Sequence, residues 1–429
     1  MQTLLIKDQA ALERAAARLA KPPQFKAGQD AEVARILEAV RQRGDEALLG
    51  YAARLDGTRL TPKSLRLPQA ALIAALARLD PELKRALKAS IASITAFQRR
   101  LLPKGWEAGL RPGVRLGQQV RPLKRVGICV PGGESPLVST VLMSAIPARV
   151  AGVREIVVVT PNRQGKGINQ GLLAACALAG ATEVYQVGGA HAVAALAFGT
   201  KSIPRVDKIV GPGSSWVAAA QRLVFGTVGI DMVAGPSEIM VIAERGADPA
   251  WVAADLLSQA EHAGEESAVL VTPDAGLARQ VVLALEAQAR ALPRQSAIAS
   301  SLSRFGLALV VRSLADAVLL ADAMAPEHLE LMVRKPRALA RRIRNAGAIF
   351  MGSTTPEPVG DYVAGPSHVL PTGGCVRYAS GLSVENFVKK SSLLEYSPAA
   401  LKREGPSIRR MALAEGLTAH AASVAARGC

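Results

Sequence analysis

The chain has 429 residues, of which 49% are hydrophobic and 20% are charged. This length allows two or three domains with cores of their own, and the composition excludes general disorder. The 52 basic and 35 acidic residues give a formal net charge of +17, but the basic residues are scattered and only 3% of the residues are aromatic. Because stacking platforms for bases are scarce, we expect no nucleic-acid partner.

The sequence has no segment typical of a membrane span or an export signal. The uncharged stretch 184–200 contains glycines, a histidine and a glutamine, whereas a span needs about 20 mostly apolar residues. Asp8 follows a very short apolar run at the amino terminus, which is not a signal-peptide pattern. The four cysteines form no CxxC pair, which argues against a disulfide framework and a thiolate zinc site. We therefore expect a cytoplasmic protein with no membrane partner.

The first part of the chain is predicted to be mainly helical. Apolar residues recur with helical periodicity over 9–20, 30–54 and 70–102. The next stretch, 106–125, is punctuated by glycine and proline. We expect short strands there and a linking role for the segment.

From Val126 onward, short apolar strands alternate with helices. This alternation is typical of βαβ units and a parallel sheet. One block ends with the helix predicted at 214–226, and a second begins with the strand predicted at 238–244. Further helices are predicted at 249–262, 275–292 and 313–324. The two blocks join near Ala234-Gly235-Pro236.

Three features follow the second block. An arginine-rich segment between Pro336 and Gly347 is predicted to be a helix with a solvated outer face. The stretch 352–375 is rich in Gly, Pro and Ser, and loops of this length are usually functional or linkers. The chain closes with an amphipathic helical segment at 408–427.

The predicted fold class is therefore α/β, with two Rossmann-like parallel-sheet domains, an N-terminal helical segment and an extended C-terminal helical tail. The predicted divisions are 1–120, 121–236, 237–380 and 381–429.

Three strand-turn-helix junctions carry glycine, at 130–133, 187–189 and 210–215. Each would point helix N-terminal amides at an anion. At the third junction Ser214 or Ser215 can equally act as a simple helix cap. These residues alone do not distinguish the binding of a nucleotide-like ligand from simple capping of the helices.

Two pairs of polar residues are candidates for chemistry. Gln259 and His262 lie three positions apart in LLSQAEHAGEES, so on a helix both side chains can reach one metal ion. A solvent-facing pair is the simpler alternative. Glu327 and His328 are adjacent at a predicted strand start, and they offer two proton carriers in one place.

Ten segments in a fixed order span nearly the whole chain and carry a family resemblance. They are VGICVPGG, VLMSAIPARVAGV, VGGAHAVAALAFGT, DKIVGPG, GIDMVAGPSEIMVIAE, DLLSQAEH, PEHLEL, GDYVAGPSHVLPTGG, SGLSVENF and AEGLTAH. Through them the sequence resembles the histidinol dehydrogenase family, whose enzymes perform the last two steps of histidine biosynthesis. The resemblance implies oxidation of L-histidinol to L-histidine through L-histidinal, with two NAD used in turn and one Zn²⁺.

The resemblance also assigns roles to residues of this chain. The implied zinc ligands are Gln259, His262, Asp361 and His420. The implied proton carriers are Glu327 and His328. The implied substrate contacts are Ser237, Gln259, His262, His328, Asp361, Glu415 and His420. The implied contacts to NAD are Cys129, His191 and Ser214.

The family pattern further implies a homodimer with shared active sites, in which the tail of each chain carries Glu415 and His420 into the other subunit. It also implies that residues 1–120 pack on the second α/β domain. At the three NAD positions the family usually has an aromatic residue, Gln and Asn, where this chain has Cys129, His191 and Ser214. These differences bear on cofactor affinity and choice more than on the chemistry. Neutral drift is the alternative that stays open, because a shallow cofactor site tolerates change.

Two alternatives stay open at this point. A relative with the same zinc site would oxidise another primary alcohol, such as a sulfonated diol. A basic anion- or nucleic-acid-binding protein on the same scaffold is the second, and the intact set of implied metal ligands argues against it.

Overall fold

The computed structural model describes residues 1–20, 28–132 and 136–429. The described helices are α1 (Gln9–Leu19), α2 (Gln29–Arg43), α3 (Asp45–Tyr51), α4 (Pro62–Leu65), α5 (Gln69–Arg78), α6 (Pro81–Leu101), α7 (Val138–Ala151), α8 (Gln170–Ala179), α9 (Gly189–Phe198), α10 (Ser215–Val224), α11 (Pro249–Ala260), α12 (Ala275–Ala289), α13 (Gln295–Arg304), α14 (Leu314–Met324), α15 (Pro336–Ala340), α16 (Glu357–Tyr362), α17 (Pro398–Ala414) and α18 (Thr418–Ala425). The described strands are β1 (Gln2–Leu5), β2 (Trp106–Arg111), β3 (Val114–Pro122), β4 (Arg125–Cys129), β5 (Glu155–Val159), β6 (Glu183–Tyr185), β7 (Lys208–Val210), β8 (Gly229–Ile230), β9 (Glu238–Ala243), β10 (Ser267–Thr272), β11 (Leu307–Val310), β12 (His328–Met332), β13 (Ala348–Met351) and β14 (Val388–Tyr396). Gly133, the last glycine of the first predicted junction, lies outside the described residues.

The first sheet is parallel, with the described strands in the order β6-β5-β4-β7-β8. Helices α7 and α8 cover one face, and α9 and α10 cover the other. Every residue of β4 is buried, as expected for a strand covered on both faces. The strand order reverses between β4 and β7, and a crevice opens at the carboxyl ends of strands at such a switch point.

The second sheet is also parallel, with the order β1-β11-β10-β9-β12-β13 among the described strands. Helices α1 and α14 pack on one face, and α11, α12 and α13 pack on the other. The two sheets confirm the predicted α/β fold class. The central strands β9 and β12 are direct neighbours, with His328 opposite Ile239.

The N-terminal region is divided between the two sheets. β1 pairs with β11 and α1 packs on α14, so these elements join the second sheet. In contrast, α2 packs on α9 and α10, α5 packs on α8, and α6 packs on α7. The expectation that residues 1–120 pack on the second α/β domain is therefore corrected for the helices from α2 to α6. The reason is that α9 is apolar and buried along almost its whole length, and such a helix needs a further layer over it.

An antiparallel sheet with the order β14-β3-β2 attaches the tail to the rest of the chain. β14 pairs with β3 along its full length, so the stretch 106–125 forms the predicted strands and also receives the tail. The guanidinium of Arg111 donates to both carboxylate oxygens of Glu404 at 3.0 and 2.9 Å. Helices α17 and α18 follow and pack on each other.

Three predicted helices end earlier or are broken. The helix predicted between Pro336 and Gly347 ends at Ala340, because an Asp322 carboxylate oxygen accepts the backbone N–H of Arg344 and Asn345 and holds the chain in a turn. The prediction over 30–54 divides at Gly44, and that over 70–102 divides before Pro81. Among the described helices, none has the length and apolar composition needed to cross a membrane.

Candidate active site

The central cleft is a cavity of about 190 Å³ between the carboxyl ends of the first sheet and the amino ends of the second. Six of the residues implied by the resemblance line it. They are Ser237, Gln259, His262, Glu327, His328 and Asp361. Topology explains this grouping, because β9 and β12 start side by side and α11 runs back from the far end of β9 to the same edge.

His328 presents a neutral imidazole to the cleft. Its Nδ1 lies 3.2 Å from the backbone carbonyl oxygen of Glu238, and since a carbonyl only accepts, Nδ1 carries the hydrogen. Nε2 is then unprotonated, buried and without a hydrogen-bond donor among the described residues, at 3.7 Å from Glu357 Oε1. Burial lowers the pKa of His328 to about 3, so the ring is neutral at pH 7. Nε2 can therefore accept a proton or bind a cation.

Glu327 is a buried carboxyl group whose Oε2 accepts the backbone N–H of Glu238 at 3.1 Å. Burial raises the pKa of Glu327 well above its usual range, and the negative charges of Glu238 and Asp361 act in the same direction. A carboxyl group with a raised pKa can hold or release a proton near neutral pH according to the charges around it. Glu327 thus has the properties of a general acid or base.

Donor atoms suited to a divalent cation meet in the same cleft. Ligand atoms of His328, Glu357 and Asp361 all lie within 4.8 Å of one another. Gln259 Oε1 is buried without a hydrogen-bond partner among the described residues. His262 Nδ1 lies 3.1 Å from the backbone carbonyl oxygen of Gln259, so Nε2 is the ring nitrogen that can bind a metal ion. Nitrogen and oxygen donors of this kind fit Zn²⁺ and related first-row ions.

The carboxyl groups of Asp361 and Glu357 have raised pKa values, as expected where buried carboxyl groups gather at a cation site. Burial raises the pKa of Asp361 to about 6. Burial, together with the charge of Asp361, raises the pKa of Glu357 to about 8. A bound cation reverses this effect, because its charge favours the ionised carboxylates.

Two cleft residues were not identified from the sequence. Glu357 lies four positions before Asp361, so one helical face carries both carboxylates, and this spacing was an available signal. His368 is half-buried, but its Nε2 is buried and unpartnered among the described residues, and desolvation lowers its pKa to about 4. Its loop position gave no comparable signal.

The structure does not bring Glu415 and His420 to the cleft of their own chain. Neither lines it, and both are exposed on the tail. Glu415 follows α17 and His420 lies in α18.

A second cavity, the switch-point pocket, has a volume of about 350 Å³ and lies at the carboxyl ends of β4 and β7. Its walls include Cys129, His191 and Ser214, the three predicted NAD contacts, and the N-termini of α9 and α10. Glycine at 188 permits the close packing of this wall, because a Cβ there would lie 2.6 Å from Pro161. The volume and the helix N-termini suit a phosphate-bearing small molecule.

The three predicted NAD contacts have different surroundings. His191 is buried, and its Nε2 lies 3.2 Å from Asp56 Oδ2. Ser214 occupies the N-cap position of α10, but its side chain makes no capping hydrogen bond. Burial raises the pKa of the Cys129 thiol to about 12, so it is not a thiolate nucleophile.

Comparison with known proteins gives one consistent family. Residues 20–428 match the family described as histidinol dehydrogenase. A histidinol dehydrogenase from Syntrophotalea carbinolica is 51% identical over 418 residues, covering 97% of this chain and 96% of the relative. One from Synechococcus sp. is 49% identical over 398 residues, covering 93% and 92%. The crystal structure of histidinol dehydrogenase from Elizabethkingia anophelis superposes with a TM-score of 0.93 at 35% identity, covering 100% of this chain and 98% of that one.

Proposed function

The chain belongs to the histidinol dehydrogenase family, and from this premise we propose that it oxidises L-histidinol to L-histidine by way of L-histidinal in the cytoplasm, using two NAD in turn and one Zn²⁺. The observation that carries this proposal is the meeting of two buried proton carriers, Glu327 and His328, with the donors of Gln259, His262 and Asp361 in one cleft. Acid–base groups and cation donors at one place are what a two-step alcohol oxidation requires.

The first oxidation removes a hydride from the alcohol carbon and a proton from its hydroxyl. We assign the proton to His328 Nε2, because this nitrogen is unprotonated and faces the cleft. Glu357 Oε1 lies 3.7 Å from Nε2, and once a bound cation favours the ionised carboxylate, its negative charge would stabilise the imidazolium that forms. NAD, when bound, accepts the hydride. Pro212 belongs to the walls of both the central cleft and the switch-point pocket, which supports hydride transfer between neighbouring cavities.

The second oxidation begins when water adds to the aldehyde carbon. We assign the proton of this water to Glu327, which lies in the same cleft with Ser237 beside it. The carbonyl oxygen takes the proton that His328 received in the first oxidation, which forms the hydrate and returns His328 to its neutral state. The hydrate then gives a hydride to the second NAD, and His328 takes the hydroxyl proton as before. The enclosed cleft holds the aldehyde between the steps and prevents the loss of a reactive compound.

Gln259, His262 and Asp361 of one chain, with His420 of the other, are the residues we assign to the metal. Bound Zn²⁺ supplies a positive centre that orients the imidazole and amine nitrogens of the substrate, which suit this borderline-soft ion. The buried, unpartnered Gln259 Oε1 supports this assignment. Ser237 and Glu415 complete the proposed substrate contacts.

The exposed tail supports a homodimer with shared sites. Met411, Leu413 and Leu417 are 61%, 50% and 42% exposed, and apolar side chains on such a segment gain by packing against another chain. Glu415 and His420 lie on the same segment and away from the cleft of their own chain. We propose that each tail completes the site of the other subunit.

The test measures NADH formation and identifies the product. Purified protein with Zn²⁺ is supplied with NAD and L-histidinol, L-histidinal or a sulfonated diol. We expect two NADH for each L-histidinol, one for each L-histidinal, and L-histidine as the product by mass spectrometry. If the diol is oxidised and L-histidinol is not, the diol is the substrate and the proposed substrate is wrong.

A further inference from the structure

The arginine-rich segment belongs to a basic stretch that the proposed oxidation does not use. Residues 334–344 follow β12 and include the short helix α15 and the turn after it. The stretch contains no acidic residue and six basic ones, all exposed: Arg334, Lys335, Arg337, Arg341, Arg342 and Arg344. Three of these cations line one cavity, which we call the basic pocket.

The basic pocket has a volume of about 400 Å³. Its walls are formed by Glu244, Leu314, Val333, Arg334, Lys335, Ala338, Leu339 and Arg342. It shares no wall residue with the central cleft or with the switch-point pocket. The basic pocket is therefore a separate cavity, and its size suits a small molecule.

The basic pocket lies at the switch point of the second sheet. The neighbouring strands β9 and β12 continue to opposite faces, since β9 leads into α11 and β12 leads into α15. A crevice opens beyond the carboxyl ends of such strands, and open α/β sheets bind their ligands there. Glu244 follows β9 directly and Val333 follows β12 directly, so the basic pocket occupies this crevice.

The basic pocket has positive charge that the protein does not neutralise. Glu244, the acidic member of its walls, accepts the backbone N–H of Arg334 at 2.5 Å and the Nε–H of the same residue at 3.1 Å. Among the described residues, no carboxylate pairs with Lys335 or Arg342. Two unpaired cations thus line one cavity, and their combined field attracts an anion.

The inner wall of the basic pocket is apolar. Leu339 is buried, and Leu314 and Val333 are half-buried beside it in the core cluster on this face of the sheet. Lys335 and Arg342 are exposed, so they stand at the mouth of the pocket. A molecule with a flat ring at one end and phosphates at the other matches both parts, because phosphate groups accept strong hydrogen bonds from cationic side chains.

We propose that the basic pocket binds a nucleoside di- or triphosphate, with the phosphates on Lys335 and Arg342 and the base against the apolar wall. The pocket and the central cleft lie at opposite ends of β9 and β12, about 15 Å apart along these strands. The site is therefore separate from the groups assigned to the oxidation and to the metal.

The experiment titrates the full-length protein with ATP by calorimetry, with saturating NAD to occupy the switch-point pocket. The salt concentration is about 0.15 M, at which exposed charges more than about 8 Å apart are largely screened. Adenosine and inorganic triphosphate are titrated separately, because each carries one half of the proposed ligand. Lys335→Gln and Arg342→Gln each remove one cation from the pocket. Arg341→Gln is the matched control, since it removes an exposed cation of the same stretch that does not line the pocket.

We expect ATP to bind in addition to NAD. Lys335→Gln and Arg342→Gln should each weaken ATP binding about tenfold, because each removes a charged hydrogen bond to phosphate. Arg341→Gln should bind ATP as wild type does. Adenosine and inorganic triphosphate should each bind more weakly than ATP. All three variants should unfold at the wild-type temperature, because the altered side chains are exposed.

Four results would overturn the proposal. Wild type that binds no ATP beside NAD would show that the site does not exist. Wild-type affinity in Lys335→Gln and Arg342→Gln would place ATP elsewhere on the molecule. An equal loss in Arg341→Gln would show attraction by the basic stretch as a whole. Inorganic triphosphate that binds as tightly as ATP would exclude a contact with the base. Because no titration measures the oxidation of L-histidinol, these outcomes do not depend on the proposed function.

Discussion

Mixing two inactive variants tests whether the proposed sites are shared between subunits. His262 lines the central cleft, whereas His420 of the same chain is exposed on α18 and outside that cleft. We expect His262→Asn and His420→Asn each to remove most activity, because each removes one proposed metal ligand from every site of its homodimer. Neither change touches a core cluster, so both variants should fold.

The expected recovery follows from the position of the two residues. In a heterodimer with shared sites, one site carries both substitutions and the other carries neither. Random reassortment makes about half of all dimers heterodimers, and one of their two sites is intact, so about a quarter of wild-type activity should return. Sites contained within one chain would give no recovery.

The assay follows NADH formation from L-histidinol after the subunits have exchanged. The two variants carry different affinity tags, and native mass spectrometry measures the heterodimer fraction. Each variant exchanged with itself is the control. Heterodimers that form without any recovery of activity would refute the shared site and with it the proposed role of the tail.

Three further predictions concern catalysis, metal and stability. Glu327→Gln should slow the oxidation of L-histidinal by about 10²–10⁴-fold, because it removes the base assigned to water, and it should slow the oxidation of L-histidinol less. Equal slowing of both half-reactions in stopped-flow measurements would contradict the separate roles of Glu327 and His328. Chelation should remove activity, and Zn²⁺, Co²⁺ or Mn²⁺ should restore it. Elemental analysis of His262→Asn should show the loss of most bound metal, while its circular dichroism spectrum stays that of wild type. A metal-free protein with full activity would exclude the metal site. Arg125 donates to Glu183 at 2.9 and 2.8 Å, and this contact lowers the pKa of Glu183 from 4.5 to about 2. The stabilisation is therefore complete above about pH 4.5 and is lost as the pH falls towards 2, so Glu183→Gln should lower the free energy of unfolding at pH 7 by about 3 kcal/mol and by much less near pH 2. Urea unfolding at both pH values checks this, and an equal loss at both would contradict it.

Local patterns accounted for most elements of the fold. The predicted strand at 238–244 and helix at 249–262 appear as β9 (Glu238–Ala243) and α11 (Pro249–Ala260). Alternating apolar strands and helices are read from neighbouring residues, so no distant contact is needed to predict them. The short strand β1 was not predicted, because it is an edge strand that depends on β11, far along the chain.

The candidate site was predicted only in part. Gln259 and His262 share a helix end, and Glu327 and His328 are adjacent, so their spacing was informative. His368 lies in a loop and gave no local pattern.

The order of residues was enough to establish the α/β class, the chemical kinds of the donors and the family resemblance, because these depend on local periodicity and on motifs. Tertiary structure decided which donors meet, which side chains are buried, and that His420 lies apart from the cleft of its own chain. Burial raises the pKa of Glu357 and lowers that of His328. Such shifts arise from lost hydration and from charges brought close by folding, and neither is encoded in the spacing of residues along the chain.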